Sequence, residues 1–349
     1  MRRYSISMAD SKKNKDDILA LWERNFSHVP ENRYPWIYEE NPAGSAACWI
    51  AKDLTRNKVV GETALFPRRI LINGKIRLAG IAGDFAVDKE HRGLGPAMPL
   101  QKAAISHCRA ENFFLLYGFP NKKSESMLLR VGYKRLGDVF RMTKPLRSQY
   151  HLKKHFDAPV LTRALSKPID FAIRLITKNQ YKNNTRYTFE TPSLFDERFD
   201  DLWRKASARF AIIGERSSSY LNWRYKRSPY NTYSIFALIS NGGNSLLGFI
   251  VYQTARNKTN IVDLLSLDLE ETFDPLMSEF INFSGRKSID SISICYAGSQ
   301  ALVKKLTEYG FSIRDRDEKI VIYTQADAAS HDFLSQQDNW YLMQGDNDI

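Results

Sequence analysis

The sequence predicts a mixed α/β fold in which one unit, a mixed β-sheet flanked by helices, occurs twice in tandem. Three observations support this prediction. The chain has 349 residues, about twice the length of a common domain. Strand-like apolar runs alternate with helix-like segments. One set of motifs also occurs twice in the same order. With 43% hydrophobic residues, the chain can bury the cores of two such units.

The repeat is clearest around the pattern W-x-Y-x-x-x-P, which occurs at Trp36–Pro42 and again at Trp223–Pro229. In both places a glycine nineteen residues after the proline, Gly61 or Gly248, opens an apolar run. Strand-like runs then end at an aspartate, and a later helix-like segment ends at a glycine and an aromatic residue. These positions are Asp88 with Gly132-Tyr133, and Asp268 with Gly310-Phe311. Four matches in one order indicate a duplication.

We therefore predict two units of one fold, at residues 1–148 and 187–325. The segment 149–186 is predicted to be a basic, partly helical linker, because His151 to Arg186 contains eight Lys/Arg and two Asp. It could lie on an anionic membrane or pack on both units, and we favour packing. Residues 326–349 form an acidic tail that we expect to pack back, since Trp340 to Met343 are apolar.

The composition narrows the class of protein. A formal net charge of +12 suggests an anionic ligand, but no nucleic-acid-binding motif is present. The three cysteines are widely spaced, which favours neither a disulfide framework nor a zinc site, and we predict no metal. The sequence contains no secretory signal pattern and no 18-residue apolar run. A cytoplasmic protein is therefore expected.

The strongest local signal is the string GDFAVDKEHRGLGPAM, at Gly83–Met98. A strand is predicted up to Val87, then a glycine-containing turn, then a helix from about Pro96. Backbone amides in such a turn, together with the helix N-terminus, can bind an anion. The turn is neither a Walker loop nor a dinucleotide fingerprint. His91, within it, is expected at the surface.

This region resembles the GCN5-related N-acetyltransferase (GNAT) superfamily. The turn is similar to its R/Q-x-x-G-x-G/A signature, and a second segment has the spacing of its N-x-x-A-x-x-x-Y-x-x-x-G-F motif. The matching residues are Arg92, Gly93, Leu94, Gly95, Pro96 and Ala97, then Asn121, Ser124, Leu128, Gly132 and Tyr133. The resemblance covers the first half and implies acyl-coenzyme A as co-substrate. It implies these cofactor-binding residues: Phe85, Ala86, Val87, Arg92, Gly93, Leu94, Gly95, Pro96, Ala97, Asn121 and Ser124.

The catalytic groups depart from the superfamily pattern. Leu128 stands where many members place a tyrosine acid. Asp84 is our candidate base and Tyr117 our candidate acid, and we expect the loss of either to reduce kcat modestly. Backbone amides would polarise the thioester carbonyl where the strands separate, which we place after Val87.

The second copy is predicted to bind no coenzyme A. After Asp268 its turn has no glycine up to Pro275 and contains Glu270, Glu271 and Asp274. These carboxylates would repel a pyrophosphate, so we expect one coenzyme A per chain.

The tandem arrangement resembles nucleotide-sugar N-acyltransferases of bacterial surface-polysaccharide biosynthesis. That resemblance implies a nucleotide-linked amino-dideoxysugar as acceptor, and we predict that Arg216, Tyr220 and Arg224 bind it. An amphipathic helix with core aromatics would explain the same trio. Two other functions stay open: aminoacyl or peptidyl transfer to cell-wall precursors, and a non-catalytic binding module. The oligomeric state is not predicted.

Overall fold

The computed structural model describes residues 3–10, 12–93, 95–109, 113–147, 186–325 and 327–347. The predicted linker at 149–186 therefore lies outside the described residues, apart from Arg186.

The first half contains, in chain order, β1 (Tyr4–Met8), α1 (Lys15–Asn25), a π-helical turn (Pro35–Glu39), β2 (Ala47–Asp53), β3 (Lys58–Ile72), β4 (Lys75–Val87), α2 (Ala97–Arg109), β5 (Leu115–Gly118), α3 (Lys122–Arg130), β6 (Lys134–Asp138) and β7 (Phe140–Pro145). The second half contains β8 (Tyr187–Glu190), α4 (Glu197–Ser207), β9 (Ile212–Gly214), α5 (Ser218–Leu221), a π-helical turn (Asn222–Lys226), β10 (Ser234–Ser240), β11 (Leu246–Ala255), β12 (Lys258–Ser266), α6 (Phe273–Arg286), β13 (Ser291–Gly298), α7 (Gln300–Glu308), β14 (Ser312–Asp315), β15 (Lys319–Thr324), α8 (Ala328–Leu334) and β16 (Trp340–Met343). Within the described residues, the strands form one open sheet of 16 strands. The predicted mixed α/β fold, with helices flanking a mixed sheet, is confirmed.

The two halves exchange strands reciprocally. β15, from the second half, lies between β5 and β6 of the first half and is antiparallel to both. β7, from the first half, lies between β13 and β14 of the second half, again antiparallel to both. Each half therefore completes its sheet with a strand that the sequence places in the other half.

The repeated helices have the same local construction. The side chain of Asn121 accepts hydrogen bonds from the amides of α3, and that of Ser299 does so for α7, as expected for N-cap residues. Both helices are followed by a glycine with positive φ, +114° at Gly132 and +82° at Gly310. A left-handed residue at this place satisfies the last carbonyls of a helix and favours glycine.

The repeated tryptophans meet each other at the centre of the molecule. The Trp36 indole N–H donates to the Trp223 carbonyl at 2.9 Å, and the Trp223 indole N–H donates to the Trp36 carbonyl at 2.8 Å. Their rings stack with centroids 5.1 Å apart. Because the two bonds are reciprocal, the π-helical turns face each other across an approximate two-fold axis.

The C-terminal segment packs back onto both halves. β16 is antiparallel to β13 and parallel to β9, and β9 continues the sheet to β3. All four residues of β16 are buried. None of the helices within the described ranges is long and apolar enough to cross a bilayer.

We predict that Trp36→Phe lowers the free energy of unfolding by about 1–3 kcal/mol, since the Trp223 carbonyl would remain buried without its donor. Urea unfolding measures this loss. Trp49→Phe is the matched control, because Trp49 is buried within the first half and contacts His107 edge-on. A loss no larger than that of the control would contradict an inter-half role for the tryptophan pair.

Candidate active site

A cleft begins where β4 and β5 stop pairing. These parallel strands pair from Ala79–Leu115 to Ile81–Tyr117, whereas β4 continues to Val87. A cleft of about 380 Å³ opens beyond this last pair. The prediction that the strands separate after Val87 was wrong, because the pairing already ends at Ile81.

A β-bulge in β4 forms the floor of the cleft. Glu62 of β3 pairs with Ala86 but Ala64 pairs with Gly83, so Asp84 and Phe85 have no register partner on β3. Asp84 has a φ of +47°, which few non-glycine residues adopt. A bulge re-aims side chains and interrupts the ladder, so this backbone can offer N–H groups to a carbonyl oxygen in the cleft.

The cleft has walls on both faces of the sheet. On the face covered by α2 and α3, it is lined by Thr63, Gln101, Asn121, Ser124 and Leu128. On the face covered by α1, it is lined by the loop Phe26–Val29 and Arg33, joined by Tyr230 from the second half. Side chains from both faces of the sheet therefore meet at the bulge.

The glycine turn has the geometry of an anion site. Gly93 and Gly95 have φ values of +80° and +110°, and a Cβ on either would meet only open space. The turn leads directly into the N-terminus of α2, and helix N-termini favour anions. Leu94 lies outside the described residues. His91, expected at the surface, is buried, and its Nδ1 lies 2.9 Å from the Tyr4 hydroxyl oxygen.

Two side chains at the start of the turn are held away from the anion position. The Asp88 carboxylate accepts hydrogen bonds from Arg24 at 3.1 Å and from Asn25 at 2.7 Å. Arg92 donates to the Val87 carbonyl at 2.8 Å and to the Asn25 amide oxygen at 3.1 Å. Its guanidinium therefore braces the strand end next to the turn.

The corresponding turn of the second half is occupied by its own side chain. The Asp268 carboxylate accepts the backbone N–H groups of Glu270 at 3.1 Å and Glu271 at 2.6 Å. In this turn a carboxylate thus takes the amides that an external anion would need, and two further acidic residues follow. This geometry favours one acyl-CoA site per chain.

Asp84 lies at the centre of a buried polar cluster. Both oxygens accept hydrogen bonds from the Arg33 guanidinium, and Oδ2 also accepts from the Tyr38 hydroxyl at 2.9 Å. Burial alone would lower the pKa of Arg33, but the charge and hydrogen bonds of Asp84 outweigh it and raise that pKa. Burial, followed by the charge of Asp84, raises the pKa of Tyr38.

Glu62 lies near Asp84, on the α1 side of the sheet. Its Oε1 accepts from the Trp22 indole N–H, and its Oε2 is buried without a hydrogen-bond partner among the described residues. Burial, and after it the negative charge of Asp84, raises the pKa of Glu62 well above its ordinary value. These surroundings favour the neutral acid form of Glu62, because a second ionised carboxylate here would be unpaired.

The structure brings together only part of the predicted site. Asp84, Phe85, Asn121 and Ser124 line the cleft, as does Leu128. Ala86 and Val87 are buried and pair with β3. Gly93, Gly95, Pro96 and Ala97 form the turn and the helix start beside them.

Tyr117 lies elsewhere. Its hydroxyl is buried and donates to the Asp346 carbonyl at 3.1 Å, and it is not among the residues lining the cleft. Burial raises its pKa, so its hydroxyl is a poor proton donor to a thiolate. Strand alternation turns this residue toward the C-terminal segment instead of the cleft.

The predicted acceptor-binding trio lies in the interior. Arg216 is 0% exposed, and Tyr220 and Arg224 are also buried. Arg216 pairs with Asp263 and Asp346, and Arg224 donates to the carbonyls of Gly345 and Asn347. These arginines therefore fasten the C-terminal segment, and the structure gives them a structural role in place of the predicted contact with an acceptor.

Sequence reasoning missed most of the cleft lining, including Arg33, Thr63, Gln101 and Tyr230, and it missed Tyr38, which supports Asp84. A signal existed for Arg33 and Tyr38, because both lie in or beside the repeated W-x-Y motif. Tyr230 directly follows the second copy of that motif. Thr63 and Gln101, whose side chains bond to each other at 2.9 Å, had no such signal.

The comparisons with known proteins agree with this geometry. Residues 9–136 match the model of a family described as an acetyltransferase (GNAT) domain. No curated protein matches the chain.

Three solved structures show a similar fold. A conserved protein of Enterococcus faecalis, described as a probable N-acyltransferase, is 13% identical with a TM-score of 0.67, over 93% of this chain and 72% of that chain. A GCN5-related N-acetyltransferase of Anabaena variabilis is 16% identical with a TM-score of 0.65, over 92% and 72%. The N-myristoyltransferase of Saccharomyces cerevisiae with bound myristoyl-CoA is 11% identical with a TM-score of 0.56, over 93% and 83%.

Fold and site together define the class of protein as an acyltransferase. Residues 9–136 match an acetyltransferase (GNAT) domain, a fold that implies acyl-CoA as co-substrate. At these low identities, the solved structures establish the fold and nothing finer.

We predict that Gly95→Glu abolishes acyl-CoA binding, because it places a carboxylate at the turn and a side chain at a φ of +110°, which favours glycine. Gly74→Glu is the matched control: Gly74 also has a positive φ, +74°, and open space around it, but lies in the β3–β4 hairpin. Isothermal titration with coenzyme A measures both variants. Unchanged affinity in folded Gly95→Glu would contradict the site, and a wild-type stoichiometry of two would contradict the closed second turn.

We predict that Glu62→Gln flattens the pH dependence of stability. A carboxyl group with a raised pKa in the folded state favours folding below the unfolded pKa of Glu, about 4.3, and loses that contribution as the pH rises toward its folded pKa. Urea unfolding of both proteins at pH 5 and pH 8 measures this. The wild type should lose more stability over this range than the variant, and equal losses would mean that Glu62 is ionised in the folded protein.

Proposed function

We propose that the chain is an acyl-CoA-dependent N-acyltransferase that acylates the amino group of a nucleotide-linked amino-dideoxysugar. An example of such an acceptor is a dTDP-linked 3-amino-3,6-dideoxyhexose, with acetyl-CoA or 3-hydroxybutanoyl-CoA as donor, in O-antigen or capsule biosynthesis. One observation carries the proposal. The cleft passes through the sheet at the Asp84 bulge, beside a turn that fits a diphosphate, so a thioester and an amine can meet there from opposite faces.

The donor would lie on the α2 and α3 face. Its diphosphate would bind the turn around Gly93 and Gly95, and its pantetheine arm would follow β4 past Asn121 and Ser124. The thioester carbonyl would accept hydrogen bonds from backbone amides of the bulge at Asp84 and Phe85. Such fixed donors stabilise the developing oxyanion without reorganising, and holding both reactants together removes much of the entropic barrier.

The reaction needs one proton acceptor and one proton donor, and the Asp84 cluster would provide the acceptor. The neutral amine attacks the carbonyl carbon, the new N–C bond forms, the C–S bond breaks, and the coenzyme A thiolate leaves. The amine loses one proton and the thiolate gains one. Asp84 is positioned to accept the first directly or through water, and Arg33 and Tyr38 fix its orientation. Tyr230, which lines the cleft, replaces Tyr117 as the candidate proton donor.

The acceptor would enter from the α1 face. Aromatic rings of Phe26, Phe119 and Tyr230 line this part of the cleft and suit a flat base or a sugar ring, while the Asp84 carboxylate suits an amine. The chain's +12 charge favours a diphosphate-bearing acceptor. A cytoplasmic location is expected for such substrates and stays a prediction.

A substrate screen tests the proposal. Purified protein is incubated with acetyl-CoA or 3-hydroxybutanoyl-CoA and a panel of nucleotide-linked amino sugars, amino acids and peptides, and products are identified by mass. An acylated nucleotide sugar supports the full proposal. Acylation only of amino acids or peptides would keep the N-acyltransferase and overturn the sugar acceptor. Absence of both turnover and coenzyme A binding would favour a non-catalytic module.

We predict that Asp84→Asn lowers kcat about ten- to a hundredfold, since the amine of a sugar needs only modest base assistance. Asp263→Asn is the matched control, because Asp263 has the same tyrosine and arginine partners in the second half and borders no part of the cleft. It should reduce stability and leave kcat unchanged. Tyr117→Phe should also retain kcat, and steady-state kinetics on the screened substrate decides all three.

If folded Asp84→Asn lost kcat on the order of 10⁴-fold, a dedicated base would account for most of the rate enhancement, and positioning of the reactants would not. A similar loss of kcat in Asp263→Asn would mean that both variants act through stability.

A further inference from the structure

Each half contains a buried cluster in which a tyrosine hydroxyl and an arginine both donate to one aspartate. The two clusters are Tyr38, Asp84 and Arg33 in the first half, and Tyr225, Asp263 and Arg216 in the second half. The tyrosine oxygen lies 2.9 Å from the carboxylate in both. The two halves therefore build the same kind of polar cluster, with the tyrosine at the same place in the W-x-Y motif. The arginines come from different places, because Arg33 lies three residues before Trp36 and Arg216 lies seven residues before Trp223.

The surroundings of the two clusters differ. The first borders the 380 Å³ cleft, whereas the second is covered by the C-terminal segment. Gly345 lies so close to Tyr225 that a Cβ on it would be 1.8 Å from the hydroxyl oxygen. Arg224 fixes this approach by donating to the Gly345 carbonyl at 2.9 Å.

The C-terminal segment places a carboxylate between two buried arginines. Asp346 accepts from Arg68 at 2.8 Å on one oxygen and from Arg216 at 2.7 Å on the other. Asp346 and both arginines are at most 1% exposed. The Met343 amide completes the site by donating to the second oxygen at 2.9 Å.

Arg68 has more buried donor nitrogens than hydrogen bonds to the described residues. Within the described ranges, its buried Nε and Nη1 have no hydrogen-bond partner, and its guanidinium lies 3.5 Å from the centroid of the Tyr220 ring. Two guanidiniums here face two carboxylates, Asp263 and Asp346. Without Asp346 a buried positive charge would remain uncompensated, which is strongly unfavourable.

We infer that Arg68 and Arg216 form a carboxylate-binding pocket between the two halves, and that Asp346 is its internal ligand. The pocket takes a carboxylate on two guanidiniums and one backbone amide. It spans the halves, because Arg68 belongs to β3 and Arg216 follows β9. The pocket does not depend on the proposed reaction, because its test measures only the thermal stability of the protein.

The test is chemical rescue of Asp346→Ala, which removes only the carboxylate group and leaves the rest of the segment. We expect a lower Tm than wild type in chloride, and recovery of about half of that loss in formate at equal ionic strength, because a ligand that binds only the folded state stabilises it. Acetate, which is larger than the space vacated, should rescue less than formate.

Asp315→Ala is the matched control, since Asp315 pairs with the exposed Arg141 at 2.7 Å and no enclosed pocket results. Formate should shift the Tm of this variant and of wild type equally little. A formate shift of the same size in all three proteins would overturn the inference, because it would be a general effect of the salt. If Asp346→Ala yields no folded protein, the variant is refolded from urea in formate and in chloride, and the yields of folded protein are compared. A higher yield in formate supports the pocket, and equal yields would overturn it.

Discussion

Each half of this molecule receives one strand of its sheet from the other half, and this exchange constrains the rest of the structure. β15 fills the space between β5 and β6, and β7 fills the space between β13 and β14. Without the inserted strand, each half would expose rows of unpaired backbone donors and acceptors. The halves must therefore fold against each other, and the stacked Trp36–Trp223 pair lies where their π-helical turns meet.

The exchange also shapes the cleft. β5 is held by antiparallel pairing with β15 on one side, and by only three parallel pairs with β4 on the other. Because β15 holds β5, β4 can bend away after Ile81, and the bulge at Asp84 turns that separation into an opening through the sheet. The second half then supplies Tyr230 to its wall, so the site belongs to the whole chain even though its turn and bulge lie in the first half.

The orientation of one aspartate side chain distinguishes the glycine turn of the first half from the corresponding turn of the second half. Asp88 and Asp268 both end a strand and precede a turn, but Arg24 and Asn25 hold Asp88 away from the turn, whereas Asp268 bonds to the amides of its own turn. The buried polar clusters differ in a similar way. Both terminal nitrogens of Arg33 donate to Asp84, whereas Arg216 donates to Asp263 and to Asp346 of the C-terminal segment.

The sequence by itself determined the features that depend on nearby residues. The duplication, the glycine turn with its helix, the Asn121 cap and the acidic second turn are all set by short-range backbone preferences, which a pattern of a few residues reports. Asp84 could be singled out because it is one of two acids at the end of its strand.

Only the tertiary structure decided which distant groups meet. The Tyr117 hydroxyl bonds to a residue 229 positions away, and Arg68 bonds to one 278 positions away. The strand exchange likewise pairs β5 and β15 from opposite halves of the chain. Such contacts follow from strand register and from the packing of two whole halves, because a shift of one residue would turn every side chain of a strand to the opposite face. Local sequence carries no record of that register, so the burial of Arg216, Tyr220 and Arg224 could be learned only from the folded chain.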